Sequence, residues 1–187
     1  MLGFELEPPD YCTDEWHDTM NDVPLSTRDK IVTLSEAQRR VAEWRRAGKA
    51  VAYTNGCFDL IHAGHARTLE YARGLADALI VGINSDESAR ELKGAGRPIM
   101  DERDRAEVLA AFACVELVVI FAELSSLPTI RALKPDVWVK GGDYDLGTVH
   151  QEERAFVESY GGRVALAGHV PGASTTDIIA RVKRLSD

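Results

Sequence analysis

The chain has 187 residues, 45% apolar and 28% charged, enough for one globular domain with a substantial core. Its formal charge of −8 belongs to one end: residues 1–27 carry seven acids (Glu5, Glu7, Asp10, Asp14, Glu15, Asp18, Asp22) and no Lys or Arg, leaving 23 acids against 22 bases elsewhere. A near-neutral body without a basic stripe argues against a nucleic-acid surface, and no run approaches the ~20 apolar residues of a membrane span.

The segment 1–29, acidic and carrying Pro8, Pro9 and Pro24, is expected to be a partly disordered extension, although Tyr11, Trp16 and Met20 are apolar enough to dock. Met1–Asp10 lacks the basic flank and apolar run of a secretion signal, so the cytoplasm is the expected location. Three cysteines (Cys12, Cys57, Cys114) without CxxC spacing argue against a disulfide framework and a cysteine-built zinc site.

Residues 30–187 are expected to form a single domain. Ser35 is placed to cap a helix through Trp44, with Ala37, Val41 and Trp44 on one face and Gly48 ending it. The apolar run Ala50–Thr54 predicts a buried strand, and Gly64–Leu75 a helix. The strand Ala78–Ile83, the helix Asp104–Phe112, the strand Val115–Phe121 and the helix Ser126–Leu133 come next. Strand Val137–Val139, helix Val149–Tyr160, strand Val164–Ala167 and helix Thr175–Leu185 complete the series.

Strands that are continuous apolar runs are covered on both faces. Their alternation with helices predicts an α/β fold: a Rossmann-like, doubly wound, five-stranded parallel sheet in three α/β/α layers. Ligands of such sheets lie beyond the carboxyl ends of the strands. Two common phosphate motifs are absent. Gly48-Lys49 is followed by Ala50 rather than Ser or Thr, and the loop after the first strand lacks three spaced glycines.

That loop instead runs Asn55-Gly56-Cys57-Phe58-Asp59-Leu60-Ile61 into His62-Ala63-Gly64-His65. A helix starting there aims free amides and its positive dipole end at the strand ends, and Gly64 lets an anion approach the backbone. Two imidazoles three residues apart share one side of a turn and can donate to phosphate oxygens together. Zinc ligation is the rival for such a pair, but no third ligand stands at nearby spacing; capping or surface histidines are another.

The stretch Thr54–Asp59 with His62-Ala63-Gly64-His65 resembles the signature of the cytidylyltransferase-like nucleotidyltransferase superfamily. Ser174-Thr175-Thr176-Asp177-Ile178-Ile179 resembles its second motif. Lys93-Gly94-Ala95-Gly96-Arg97-Pro98, Arg105 with Ala106–Ala111, and Val139-Lys140-Gly141-Gly142-Asp143-Tyr144 resemble segments of the adenylyltransferase of ADP-heptose synthesis, in its stand-alone form without a kinase half. The similarity covers roughly residues 30–185.

The resemblance implies transfer of AMP from ATP to a sugar 1-phosphate, D-glycero-D-manno-heptose 1-phosphate, by direct in-line attack. His62, His65 and Lys140 would be catalytic. Nucleotide would be held by Asn55, Gly56, Cys57, Phe58, Gly64, Asn84, Arg105, Gly142, Asp143, Ser174, Thr175 and Thr176, and substrate phosphate by Asp59, Lys93 and Arg97. Core packing competes for Phe58, a buried filler role for Cys57, plain capping for Ser174, solvated charge for Lys93 and Arg97, and satisfaction of loop backbone for Asp59 and Asn84. No protein metal site is expected, with Mg2+ bound mainly through the nucleotide phosphates. A homodimer is expected, and no nucleic-acid or membrane partner.

Cytidylyltransferases of the superfamily usually carry an Arg in a stretch like Arg-Thr-x-Gly-Ile-Ser-Thr-Thr. This chain has His169-Val170-Pro171-Gly172-Ala173-Ser174-Thr175-Thr176, which favours ATP, with adenine met by backbone near Gly168–Ala173. A CTP-dependent glycerol-phosphate or ethanolamine-phosphate cytidylyltransferase, and a catalytically silent nucleotide-binding protein, remain as alternatives. His17, His150 and His169 receive no role.

Overall fold

The computed structural model describes residues 26–142, 144–168, 170 and 172–185. Five strands, β1 (Val51–Gly56), β2 (Ala78–Asn84), β3 (Leu117–Phe121), β4 (Val137–Gly141) and β5 (Arg163–Ala167), form one parallel sheet in the order β3-β2-β1-β4-β5. The helices are α1 (Leu34–Arg46), α2 (Ala63–Gly74), α3 (Asp86–Lys93), α4 (Glu102–Ala110), α5 (Leu127–Leu133), α6 (Gln151–Ser159) and α7 (Thr175–Lys183). This is the doubly wound Rossmann-like α/β fold expected from the alternation.

Alternate strand residues feed two cores. Leu79, Val81 and Ile83 of β2 pack with Leu69 and Ala72 of α2 and Ala106 and Leu109 of α4. Ile80, with Val51 and Tyr53 of β1 and Trp138 of β4, packs on the other face against Ala37 and Val41 of α1, Ile130 of α5 and Val157 of α6. Both faces are therefore dry, which is why the strands read as unbroken apolar runs. From β1 the chain builds outward to β2 and β3, then crosses back to place β4 on the other side of β1. The sheet's switch point thus lies between β1 and β4.

Several boundaries differ from the sequence expectation. The cap of α1 is Thr33, whose hydroxyl accepts from the Glu36 amide, rather than Ser35. β1 and β4 run on through Asn55-Gly56 and Lys140-Gly141, because polar residues can still complete a parallel ladder: Asn55 pairs with Gly82 and Lys140 with Leu166. β3 begins at Leu117, not Val115, and α4 begins at Glu102 because the Asp101 carboxylate caps the Arg103 and Asp104 amides. Helix α3 was not foreseen; it has almost no apolar stripe and is specified by its ends. The Ser85 hydroxyl caps the Ser88 amide, Asp86 and Glu87 occupy the first turn, and Gly94 stops the helix at φ 93°. Residues 27–30, assigned largely to the acidic extension, form a 3-10 turn tied to the body by Lys30 Nζ donating to the Phe112 carbonyl (3.2 Å). The rest of the expected extension, 1–25, lies outside the described residues. Among the described residues no helix is long and apolar enough to cross a membrane.

Candidate active site

At the carboxyl ends of the strands a cleft of about 640 Å3 opens over the switch point. Its floor is the loop joining β1 to α2, and that loop is strained. Phe58 and Leu60 stand in the left-handed region at φ 51° and 46°, which costs a non-glycine residue roughly 1–2 kcal/mol each. Such backbone persists only when its surroundings over-determine it, and three ties do so here. Arg105, fully buried, donates to the Cys57 carbonyl (2.5 Å), the Met100 carbonyl (3.0 Å) and Asp86 Oδ1 (2.6 Å). The Asp59 carboxylate accepts from Arg97 Nε (2.7 Å) and from the Ile99 and Met100 amides (2.9 and 3.0 Å). The Thr175 hydroxyl donates to the Asp59 carbonyl (2.6 Å).

These ties revise the expected roles. Arg105 does not line the cleft; its guanidinium is consumed beneath the loop, so it is a brace rather than a nucleotide ligand. Asp59 does not hold a substrate phosphate through its carboxylate, which is spent on Arg97 and two amides. Burial opposes its charge, but those donors outweigh burial and hold the carboxyl below its usual range. Lys93 is the last residue of α3, and it and Arg97 both line the cleft. With Nε engaged by Asp59, the rest of the Arg97 fork makes no further hydrogen bond among the described residues, and Arg97 lines the cleft.

His62 is the N-cap of α2 with extended backbone, and makes no side-chain cap bond. Its ring stacks on His65, centroids 3.8 Å apart at 25°, and His65 leans on Phe58 at 5.1 Å. Among the described residues, Nδ1 of both rings is buried without a hydrogen-bond partner. Burial lowers the pKa of His62; burial together with His62 pushes His65 down to about 4. Both are therefore neutral at pH 7. Gly64 faces the segment before α7 closely: a Cβ there would lie 3.0 Å from the His62 ring and 3.2 Å from the Ala173 carbonyl. Two helix N-termini, of α2 and α7, thus meet across the cleft, each concentrating free amides and positive potential.

At α7 the Ser174 hydroxyl accepts from the Asp177 amide (3.0 Å) and donates to the Asp177 carboxylate (2.8 Å). Of the three expected hydroxyls, Ser174 and Thr175 are thus committed to the fold and Thr176 stays exposed at the cleft. Across the switch point, Asn55 Oδ1 accepts from Trp138 Nε1 (3.0 Å) and Lys140 Nζ (3.2 Å). Burial pushes the pKa of Lys140 down, and the Glu153 carboxylate opposes that push. Asn84 donates to Ser88 Oγ (3.2 Å) and to the Glu123 carbonyl (3.4 Å), and the Cys57 thiol points at its Oδ1 from 3.9 Å. Burial raises the pKa of that thiol, so Cys57 is a protonated filler. Phe58 is 6% exposed and belongs to the core, while Gly56, Gly64 and Gly142 line the cleft; Asp143 lies outside the described residues.

Thr68, Leu92, Leu124, Thr148, His150 and Glu153 also line the cleft, and none of them was assigned a role from the sequence. Glu153 reads as one more acid in the helical run Glu152-Glu153-Arg154, and only its 2% exposure betrays it. Among the described residues no three His, Cys, Asp or Glu side chains are grouped to hold a metal ion.

A Rossmann-like sheet with paired histidines and two helix N-termini over its switch point defines a nucleotide-binding type of α/β domain. The chain belongs to the cytidylyltransferase-like family, whose model matches residues 53–181. It is 52% identical over 164 residues to the bifunctional protein HldE of Koribacter versatilis, covering 87% of this chain and 33% of that protein. To the bifunctional protein HldE of Syntrophotalea carbinolica it is 49% identical over 170 residues, covering 90% and 34%. The chain thus spans about a third of the length of these curated relatives. Among solved structures, the lipopolysaccharide core biosynthesis protein of Thermoplasma volcanium superposes with TM-score 0.57 at 24% identity, over 66% of this chain and 99% of that one. The pantoate-beta-alanine ligase of Francisella tularensis does so with TM-score 0.56 at 12% identity, over 84% and 78%. Both likenesses are of fold.

Proposed function

We propose that the chain is an adenylyltransferase that transfers AMP from ATP to a sugar 1-phosphate, D-glycero-D-manno-heptose 1-phosphate, releasing pyrophosphate. The observation that carries this is the stacked pair of imidazoles lining the cleft at the mouth of α2, close to the N-terminus of α7. A neutral imidazole there can donate an N–H to an anion, and two helix N-termini set free amides and positive potential beside it. The family and the HldE relatives support the reaction class.

In this scheme an oxygen of the acceptor phosphate attacks the α-phosphorus of ATP in line, and the bond from that phosphorus to the oxygen bridging to the β-phosphorus breaks. The attacking phosphate is already anionic, so no general base is required. His62 and His65, as neutral N–H donors, and Lys140, as a cation at the end of β4, hold the charge that spreads over the α-phosphate oxygens. Lys93 and Arg97 face the departing or entering phosphates. Removing one preorganised donor costs roughly 10²–10³ in rate, which is the expected effect of His65→Ala. Mg2+ would supply charge cancellation on the phosphates. The Asp59 carboxylate is already spent on Arg97 and two amides, so the ion's ligands would be chiefly phosphate oxygens. The same proposal takes the working unit as a cytoplasmic homodimer, to be tested by sedimentation of the purified chain.

Pyrophosphate release is the decisive assay, with ATP, CTP and GTP each offered heptose 1-phosphate, glycerol phosphate and ethanolamine phosphate. Release from ATP with heptose 1-phosphate supports the proposal. Preference for CTP with an alcohol phosphate overturns it, as does ATP binding without pyrophosphate from any acceptor.

A further inference from the structure

Glu153 is a buried carboxylate that the phosphate chemistry does not use. It stands in the first turn of α6, 2% exposed, and Oε1 alone takes every bond: from the Ser126 amide (2.7 Å), Ser125 Oγ (2.9 Å) and Ser126 Oγ (3.2 Å). Among the described residues Oε2 has no partner, and Glu153 lines the cleft. Lys140 lines it too, and among the described residues donates only to Asn55 Oδ1. The two charges influence each other, yet among those residues Glu153 bonds only to the two serines and no ion pair joins it to Lys140.

A buried acid and a half-buried ammonium that share a cavity without pairing leave a gap of defined chemistry. The carboxylate can only accept and the ammonium can only donate. A hydroxyl does both, so it can bridge them; a phosphate would be repelled by Glu153, and an apolar group would leave both charges bare. We propose that Glu153, fixed by the Ser125–Ser126 clamp, is a specificity-determining residue that accepts a hydrogen bond from a hydroxyl of the acceptor sugar, with Lys140 donating to the same hydroxyl. This rests on the sugar-phosphate reading above.

A ribose hydroxyl of the nucleotide has the same chemistry. Glu153 stands on α6, which leads into β5, and Lys140 on β4, which pairs with β5, so deoxy analogues of both the acceptor and the nucleotide are needed to tell the two sources apart. Sites that hydrogen-bond a substrate hydroxyl discriminate strongly against analogues lacking it, because the site's polar groups are then left unpaired.

The test compares wild type with Glu153→Gln, which retains an oxygen for the clamp, and with Glu153→Asp. Each is given the intact sugar 1-phosphate, its series of monodeoxy analogues, and ATP against 2′-deoxy-ATP. The quantity read is the ratio of kcat/KM between intact and deoxy substrate, which cancels any loss of folded protein. Wild type is expected to prefer the intact acceptor over one deoxy analogue by roughly 10–100-fold. In Glu153→Gln that ratio falls to about 1–2, mainly through the acceptor KM, and Glu153→Asp is intermediate. An undiminished ratio in Glu153→Gln overturns the inference while leaving the reaction intact. Loss of discrimination against 2′-deoxy-ATP instead assigns the hydroxyl to the nucleotide and overturns the acceptor assignment. Wild type that turns over no acceptor overturns the reaction, and this inference with it.

Discussion

Histidine 65 offers a measurement of the site without any substrate. Its imidazole sits at about 4 in the folded chain against 6.5 for a free side chain, because burial and the neighbouring His62 disfavour the charged form. Between those values the unfolded chain takes up a proton that the folded chain refuses. The stability this group contributes is therefore complete above about pH 6.5 and is lost as pH falls towards 4. At ~1.4 kcal/mol per tenfold, the full difference is roughly 3 kcal/mol, of which about 2.5 kcal/mol is gone at pH 4.5. With a urea slope of ~2 kcal/mol/M, the wild-type midpoint should fall by roughly 1 M more than that of His65→Gln between pH 7 and 4.5. Carboxylates and His62 titrate in both proteins, so the difference between their pH profiles isolates position 65. Parallel profiles would refute the desolvated, neutral imidazole, and with it the picture of His65 as an uncharged donor awaiting an anion.

Three further outcomes follow from the same geometry. Gly64→Ala should leave stability within about 1 kcal/mol, since Ala favours the helix, yet lower kcat/KM at least about tenfold by crowding His62; equal activity would show the close approach to be immaterial. Arg105→Ala leaves Asp86 and two carbonyls without their buried donor and should cost about 3–5 kcal/mol in urea unfolding, although Arg105 touches no cleft. Asp59→Asn frees Arg97 and should raise the KM for phosphate-bearing substrates more than it lowers kcat; an unchanged KM would mean that Arg97 needs no aiming.

Much of the layout was legible because it is written in local pattern. Five apolar runs separated by helical periods can be buried only as a two-faced parallel sheet, and the glycine between two histidines after the first run marks the α2 mouth. Helix α3 escaped because Asp86–Lys93 has caps and charges but no apolar stripe. Its end signals were present in Ser85 and Gly94.

What the chain order could not assign is which polar groups face the cleft and which are spent inside it. Arg105, Asp59 and Thr175 look like ligands in one dimension, but in three they are the fastenings of a strained loop. Glu153 looks like a solvated helix charge, and in three dimensions it is buried at the cleft wall. The sequence alone determined the sheet, its winding and the histidine turn, because hydrophobic period and helix-start chemistry act over a few neighbours. Only the tertiary structure decided the fate of each charge, because a charge's role depends on partners tens of residues away that fix whether its bonds are already made.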